Sequence, residues 1–261
     1  MARYPRRNEG PLFLVIILAL LAVISLICWL WVDRPLAYWL SRQDRSWYNH
    51  GLVTAIVQLG KGRVLAWFIS LAVAYKGIRP GVVAAVISLI VAGMMVGPLK
   101  PIVGRVRPAA AIAASRGAST NISGSQRHSF PSGDAAAAFA VASTLCGLVA
   151  GWKAIGLIVI ATAVACLRVI SLNHYPSDVI AGAAIGLVSG IVGLRIARAW
   201  YLPDRRHQGT AVRMIGAAAV VLITAGSFLF QGKGPMLAFL IYLGPIVCIW
   251  LVWDALGRRF R

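Results

Sequence analysis

Long uncharged apolar runs alternate with short polar stretches along almost the whole chain. Leu12 to Val32 carries no charged residue, and neither does Pro80 to Leu99. Comparable runs are Ala135 to Trp152, Ala154 to Leu172 (interrupted by Arg168 alone), Val179 to Leu194, Met214 to Gln231 and Pro235 to Trp253. Val64 to Tyr75 is shorter, but Leu52 to Gly60 leads into it. A helix needs about 20 apolar residues to cross a bilayer. The pattern therefore predicts an all-α fold, a polytopic membrane helix bundle of about eight transmembrane helices.

Between the runs, three segments differ from ordinary loops. Asp33 to Gly51 is polar but holds Tyr38, Trp39, Trp47 and Tyr48, with Pro35 at a first helical position. Leu36, Leu40 and Trp47 recur at helical spacing, which predicts an amphipathic helix lying in the interface with its rings at headgroup level. Ala109 to Ser129 is a long Ala-, Ser- and Gly-rich loop with Arg116, Arg127 and His128, long enough to be a lid or a headgroup reader. Gly182, Gly186 and Gly190 form a stripe of small residues, read as close helix packing inside the bundle rather than as a dimer face.

Composition fits this picture. Of 261 residues 59% are hydrophobic and 13% charged, where a soluble domain carries about a quarter charged. The net charge of +19 does not imply nucleic acid, because the Arg and Lys residues sit at the ends of apolar spans, where they anchor helices and meet anionic headgroups. The first run follows Arg3, Arg6 and Arg7 and ends at Asp33-Arg34-Pro35 with no small-residue cleavage site, so it reads as an uncleaved anchor. Cys28, Cys146, Cys166 and Cys248 lie unpaired in apolar runs and read as small buried hydrophobes, with no zinc or disulfide framework.

A cytoplasmic basic tail places Lys100 to Asp134 and the His174 loop on the outer side. The basic residues divide almost evenly between the two sides, so this orientation rests on the tail. Convergence of the polar stretches does not depend on it. Lys100 ends one span, Ser132 and Asp134 begin the next, Arg168 lies near the end of a third, and Asp178 begins a fourth. Alternating helices bring them to one membrane face. The last two spans carry no paired polar motif; Asp254 is placed to pair with Arg258 at i,i+4.

The chemistry of these stretches is that of an anion site. Phosphoryl transfer needs cations on the equatorial oxygens, an in-line nucleophile and help for the leaving group. Lys100, Arg107 and Arg168 supply the first. Ser132 is a helix-cap candidate, and the backbone N–H of Gly133 at a helix start binds anions at close approach. His174 is the strong nucleophile candidate, and Asp178 is placed to accept its other ring N–H. A metal ligated by His174 and Asp178 is disfavoured, since three adjacent cations repel a divalent ion and no carboxylate cluster accompanies them.

K-x6-R-P at Lys100 to Pro108, P-S-G at Pro131 to Gly133, and R-x5-H-x3-D at Arg168 to Asp178 resemble the type-2 phosphatidic acid phosphatase superfamily. The resemblance runs from about residue 33 to 195 and implies a six-helix core. It divides the chain into a tail and anchor (1–32), the phosphatase core (33–199) and two added helices (200–261). It implies that His174 forms a phosphohistidine, that Asp178 orients it, and that Lys100, Arg107 and Arg168, with Ser132 and Gly133, bind phosphate without metal or other cofactor. Two positions depart. Leu167 stands where the family usually has Ser. Asp134 stands where the second motif ends in the His that protonates the leaving group. A carboxylate there must be protonated, paired with a cation such as Arg105 or Arg127, or turned away. It serves as a catalytic acid or as a favourable charge in the first helical turn, with His128 as a substitute acid.

A weakened acid favours a lipid diphosphate, whose leaving phosphate departs without a strong acid, over a monoester. The expected protein is a lipid phosphate or diphosphate phosphatase at the periplasmic face of a bacterial inner membrane. Candidate substrates are polyprenyl diphosphate, phosphatidic acid, phosphatidylglycerol phosphate and a lipid A type glycolipid. The basic outer residues, Arg105, Arg127 and His128 included, suit a headgroup with several anionic groups. A lipid-to-lipid phosphotransferase and a non-catalytic lipid-binding or transport protein are the competing readings. The partners are membrane lipids, and no oligomeric state follows.

Overall fold

A computed structural model describes residues 11–76, 80–118, 122 and 124–200. The basic tail, the last two expected spans, Cys248 and the Asp254–Arg258 pair lie outside the described residues. Among the described residues the fold is all helical: α1 (Pro11–Ile27), α2 (Asp33–Leu40), α3 (Gly51–Gln58), α4 (Gly62–Lys76), α5 (Pro80–Val103), α6 (Pro108–Ser115), α7 (Gly133–Cys146), α8 (Trp152–Ile170) and α9 (Pro176–Trp200). Among the described residues, four segments are long and apolar enough to cross a membrane: Leu12–Leu40, Pro80–Ser115, Trp152–Ile170 and Pro176–Ala199. Val64–Ala74 and Gly133–Cys146 are shorter apolar helices. These helices point to a membrane protein. Large side chains such as Leu12, Leu20, Ile90, Met94 and Ile155 lie exposed, as suits a hydrocarbon surrounding.

α5, α7 and α9 form the packed centre; α1 lies on α9, and α8 lies on α7. Small residues set these distances. The α7 face is nearly all alanine, and Ala135, Ala136 and Ala140 are at most 1% exposed. On α9, Gly182, Gly186 and Gly190 press against the α7 backbone, so the glycine stripe is internal packing. A Cβ on Gly186 would sit 2.6 Å from the Ala136 carbonyl oxygen and 2.7 Å from the Phe139 Cβ. Gly186→Ala is therefore expected to separate α7 from α9 at a cost of about 1–3 kcal/mol, read as a lower apparent melting temperature of the protein in detergent.

Three expectations are corrected. Asp33 to Gly51 is not one interfacial helix: a π-turn (Cys28–Val32) carries α1 straight into α2, and a separate 3-10 turn (Ser46–Asn49) precedes α3. The wider turn re-aims the residues beyond it, and Asp33 is fully buried. The Ala109 to Ser129 segment contains α6 and a 3-10 turn, Gly124–Arg127. Its neck is closed where Arg107 N–H donates to Gln126 C=O at 2.8 Å and Ser129 N–H to Arg105 C=O at 2.9 Å. The cysteines are not all buried: Cys166 is exposed and Cys28 and Cys146 are half-buried, each as a free thiol.

Candidate active site

α5 ends at Val103, and Gly104 takes the left-handed conformation (φ 58°) with its N–H on the Lys100 carbonyl at 3.0 Å. This helix stop turns the chain so that Arg105 to Arg107 run back over the end of the bundle. Ser132 caps α7, its hydroxyl accepting from Ala135 N–H at 3.4 Å, and its own N–H donates to the Asp178 carbonyl at 2.9 Å. α8 stops at Ile170, and Leu172 reverses the chain at φ 57°. A left-handed leucine costs about 1 kcal/mol or more. Burial of its side chain with Ala37, Leu40, Ile112 and Tyr175 offsets this. The reversal lets both Asn173 and His174 N–H groups bond the Arg168 carbonyl at 3.2 Å.

These turns gather the motifs at one end of the bundle. A Cβ on Gly133 would lie 3.7 Å from Lys100 Nζ, which places the ammonium against the α7 N-terminus. Arg107 reaches Asn173 Oδ1 at 3.4 Å. Lys100, Arg107 and Arg168 lie close enough to repel one another. The Nε atoms of Arg107 and Arg168 are buried without a hydrogen-bond acceptor. Buried donors of this kind normally have a partner, and converging guanidinium groups match the oxygens of an anion. Among the described residues no group of three or more His, Cys, Asp or Glu side chains comes together as a metal site would require.

His174 is buried, and its Nδ1 lies 2.7 Å from the Ser129 carbonyl oxygen. A carbonyl can only accept, so Nδ1 carries the proton and Nε2 keeps its lone pair. Asp178 stands farther away, with Oδ2 at 3.7 Å from Nδ1. The direct Asp178-to-imidazole hydrogen bond is thus replaced by a relay, because Ser129 donates its hydroxyl to Asp178 Oδ2 and offers its carbonyl to the ring. Asp178 Oδ2 also accepts Tyr175 N–H at 2.8 Å. Burial pushes the imidazole below the ordinary histidine range, Asp178 pulls it up, and Arg168 and Arg107 push it further down. The ring is therefore neutral near pH 7.

Asp134 is paired, though with neither cation expected. Its Oδ2 lies 2.9 Å from Arg168 Nε. The contact is an ion pair without hydrogen-bond alignment, and both side chains keep some exposure, 23% for Asp134 and 12% for Arg168. Arg105 is engaged inside the protein, between Asp33 and Asp178. Arg127 is exposed and His128 half-buried; among the described residues neither bonds to the site. Arg116 reaches Ser41 Oγ at 3.0 Å, at the α2 end. Sequence reasoning missed Asp33 and the relay role of Ser129.

The described helices thus bring a buried histidine beside Arg168 and Arg107, with Lys100 next to them, at one end of an all-helical, membrane-type bundle. Residues 81–202 match the model of the PAP2 superfamily, a segment that holds all three motifs, and the match is consistent with the resemblance read from the sequence. The matched model suggests phosphatase activity on phosphate esters. The match begins at residue 81, so α1 to α4 lie before it. No curated protein and no solved structure matches the chain.

Proposed function

We propose that the chain is a metal-independent lipid phosphate or diphosphate phosphatase acting at the periplasmic face of a bacterial inner membrane through a phosphohistidine at His174. The observation that carries this reading is the ring geometry: Nδ1–H is held by the Ser129 carbonyl, so Nε2 is the free nucleophile. In the first step Nε2 bonds to phosphorus and the bond to the leaving oxygen breaks. In the second, water attacks phosphorus, the P–N bond breaks, and inorganic phosphate is released. Lys100, Arg107 and Arg168 offset the charge on the equatorial oxygens, and the Gly133 N–H at the α7 start adds a neutral donor.

Two features support a lipid and, among lipids, a diphosphate. An apolar groove of about 450 Å³ runs between α1, α5 and α9. It is lined by Leu18, Leu21, Ala184 and Val188 and reaches Trp29, Leu99 and Phe130 beside the site. A hydrocarbon chain fits there with its headgroup against Lys100. The Asp134–Arg168 pair leaves no ready acid for an alkoxide, which favours a leaving group that is itself a phosphate.

Phosphate release from a panel of lipid mono- and diphosphates, with chelator present, tests the reading. Polyprenyl diphosphate is expected to be cleaved fastest, and no release from any lipid would overturn it. Ala184→Trp, which fills the groove, is expected to raise KM for a long-chain lipid about tenfold or more. It should leave hydrolysis of a water-soluble aryl phosphate within about twofold, as measured by parallel kinetics.

A further inference from the structure

The most heavily bonded polar cluster in the described residues is not the cation site but the layer behind it. Asp33, at the start of α2, and Ser177, on α9, are 144 residues apart. Asp33 Oδ1 accepts Ser177 N–H at 3.1 Å, and its Oδ2 accepts the Ser177 hydroxyl and, at 2.6 Å, Arg105 Nη2. The other arm of the fork, Arg105 Nη1, donates to Asp178 Oδ1 at 2.6 Å and to Ser177 Oγ at 2.7 Å. The guanidinium is sandwiched between Trp29, 3.8 Å from its ring centroid, and Tyr175, at 4.0 Å. Asp33, Ser129, Ser177 and Asp178 are each 0% exposed.

A clip that only fastened α1 to α9 would need none of this charge. The Ser25 hydroxyl on the Ser177 carbonyl at 3.1 Å already joins the two helices without a charged group, and buried ion pairs can be replaced by apolar packing with little loss. Here two carboxylates share one guanidinium. The layer thus holds one more negative than positive charge, and its Asp178 carboxylate stands at the Nδ1 side of the imidazole, 3.7 Å away. Transfer of a phosphoryl group to Nε2 puts positive charge on the ring, which such a layer stabilises.

We propose that Asp33 and Arg105 are positioning residues for His174, acting through Asp178 and the Ser129 relay to fix the Nδ1 proton and to set the basicity of the ring. The inference rests on the phosphohistidine reading for its catalytic meaning, but the relay itself is a property of the folded protein. Asp33 lies before the segment that matches the superfamily, so the α1–α2 junction contributes to the site from outside it. The groups that face the ring are Asp178 from α9, Arg168 from α8 and Arg107 from the turn before α6. Behind these stand Lys100 from α5, Asp134 from α7, paired with Arg168, and Asp33 from the α1–α2 junction.

The test uses the full-length protein in lipid nanodiscs with ¹⁵N-labelled histidine. The chain has four histidines, and the His174 ring signals are those lost in His174→Gln. Asp33→Asn removes one negative charge and leaves Asp178 and Arg105 balanced. The His174 titration midpoint is expected to move down by about half a pH unit or more. The acidic limb of kcat/KM, which reports the free enzyme, should move down with it. Arg105→Lys keeps the charge but cannot bridge both carboxylates. It is expected to lower kcat about tenfold or more with KM nearly unchanged, and to speed exchange of the Nδ1 proton. If Asp33→Asn does not fold, Arg105→Lys carries the test. A folded variant with wild-type midpoint and wild-type proton exchange would overturn the proposal, because a merely structural clip lowers the folded fraction without changing the ring. Absence of phosphatase activity in the wild-type protein would sink the proposed function, while the ring titration would still decide this inference.

Discussion

His174→Ala is expected to reduce phosphate release by about 10³-fold or more, the scale on which removal of a covalent nucleophile is felt. No neighbouring group is placed to replace it. Asp178 is the nearest carboxylate, and both of its oxygens are occupied, by Arg105, by the Ser129 hydroxyl and by Tyr175 N–H. Binding should suffer far less than turnover, because Lys100, Arg107 and Arg168 remain. Inorganic phosphate or a slowly cleaved substrate analogue is therefore expected to bind the variant within about tenfold of wild type. The intermediate gives a second readout. Wild-type protein quenched during turnover should carry an acid-labile, base-stable phosphoryl group on the peptide that contains His174. A base-labile adduct on Asp134 would reassign the nucleophile, and unchanged release by His174→Ala would remove the enzymatic reading altogether. A protein that only binds lipid would form neither adduct.

The convergence of the three motifs was legible because helix alternation is a strong constraint. Once the spans are read from hydropathy, Lys100, Ser132, Arg168 and Asp178 have one end of the bundle available to them. The glycine stripe was legible for a related reason: three small residues one turn apart mean close backbone approach whichever helix lies opposite. What hid from the sequence was carried by the backbone or by a distant partner. Ser129 holds His174 through a carbonyl oxygen, and every residue has one. Asp33 looks like the polar end of an apolar run, since a lone carboxylate after 21 uncharged residues normally marks the interface. Its burial is set by Arg105, 72 residues away, and by a π-turn that no apolar periodicity encodes. Arg105 lies two residues from Arg107 in sequence, yet it bonds Asp33 and Asp178 while Arg107 reaches Asn173. For Asp134 the need for a cation was evident from charge alone. Which cation meets it follows from the α7 start abutting the α8 end.

That pairing makes Asp134 the most informative position for substrate choice. The superfamily resemblance implies a histidine there, to protonate the departing oxygen. In the proposed reading, a carboxylate held at 2.9 Å from Arg168 Nε gives up that role and also occupies one of the three cations proposed to hold phosphate. Asp134→His is expected to restore a proton donor and release the guanidinium at once. General acid catalysis is worth about 10²–10⁴-fold where the leaving group is poor, so kcat on a lipid phosphate monoester should rise by about 10²-fold. On a diphosphate, whose leaving phosphate needs little protonation, the gain should stay below about fivefold by the same reasoning. The ratio of the two kcat values, measured on one lipid chain carrying either headgroup, reads the difference directly and cancels changes in the amount of folded protein. Asp134→Asn provides the control. It frees Arg168 without supplying an acid, so diphosphate turnover should persist and monoester turnover should stay low. Loss of monoester cleavage in Asp134→Asn from a high wild-type level would show the opposite: that Asp134 is itself the proton donor, and that its contact with Arg168 is broken when substrate binds.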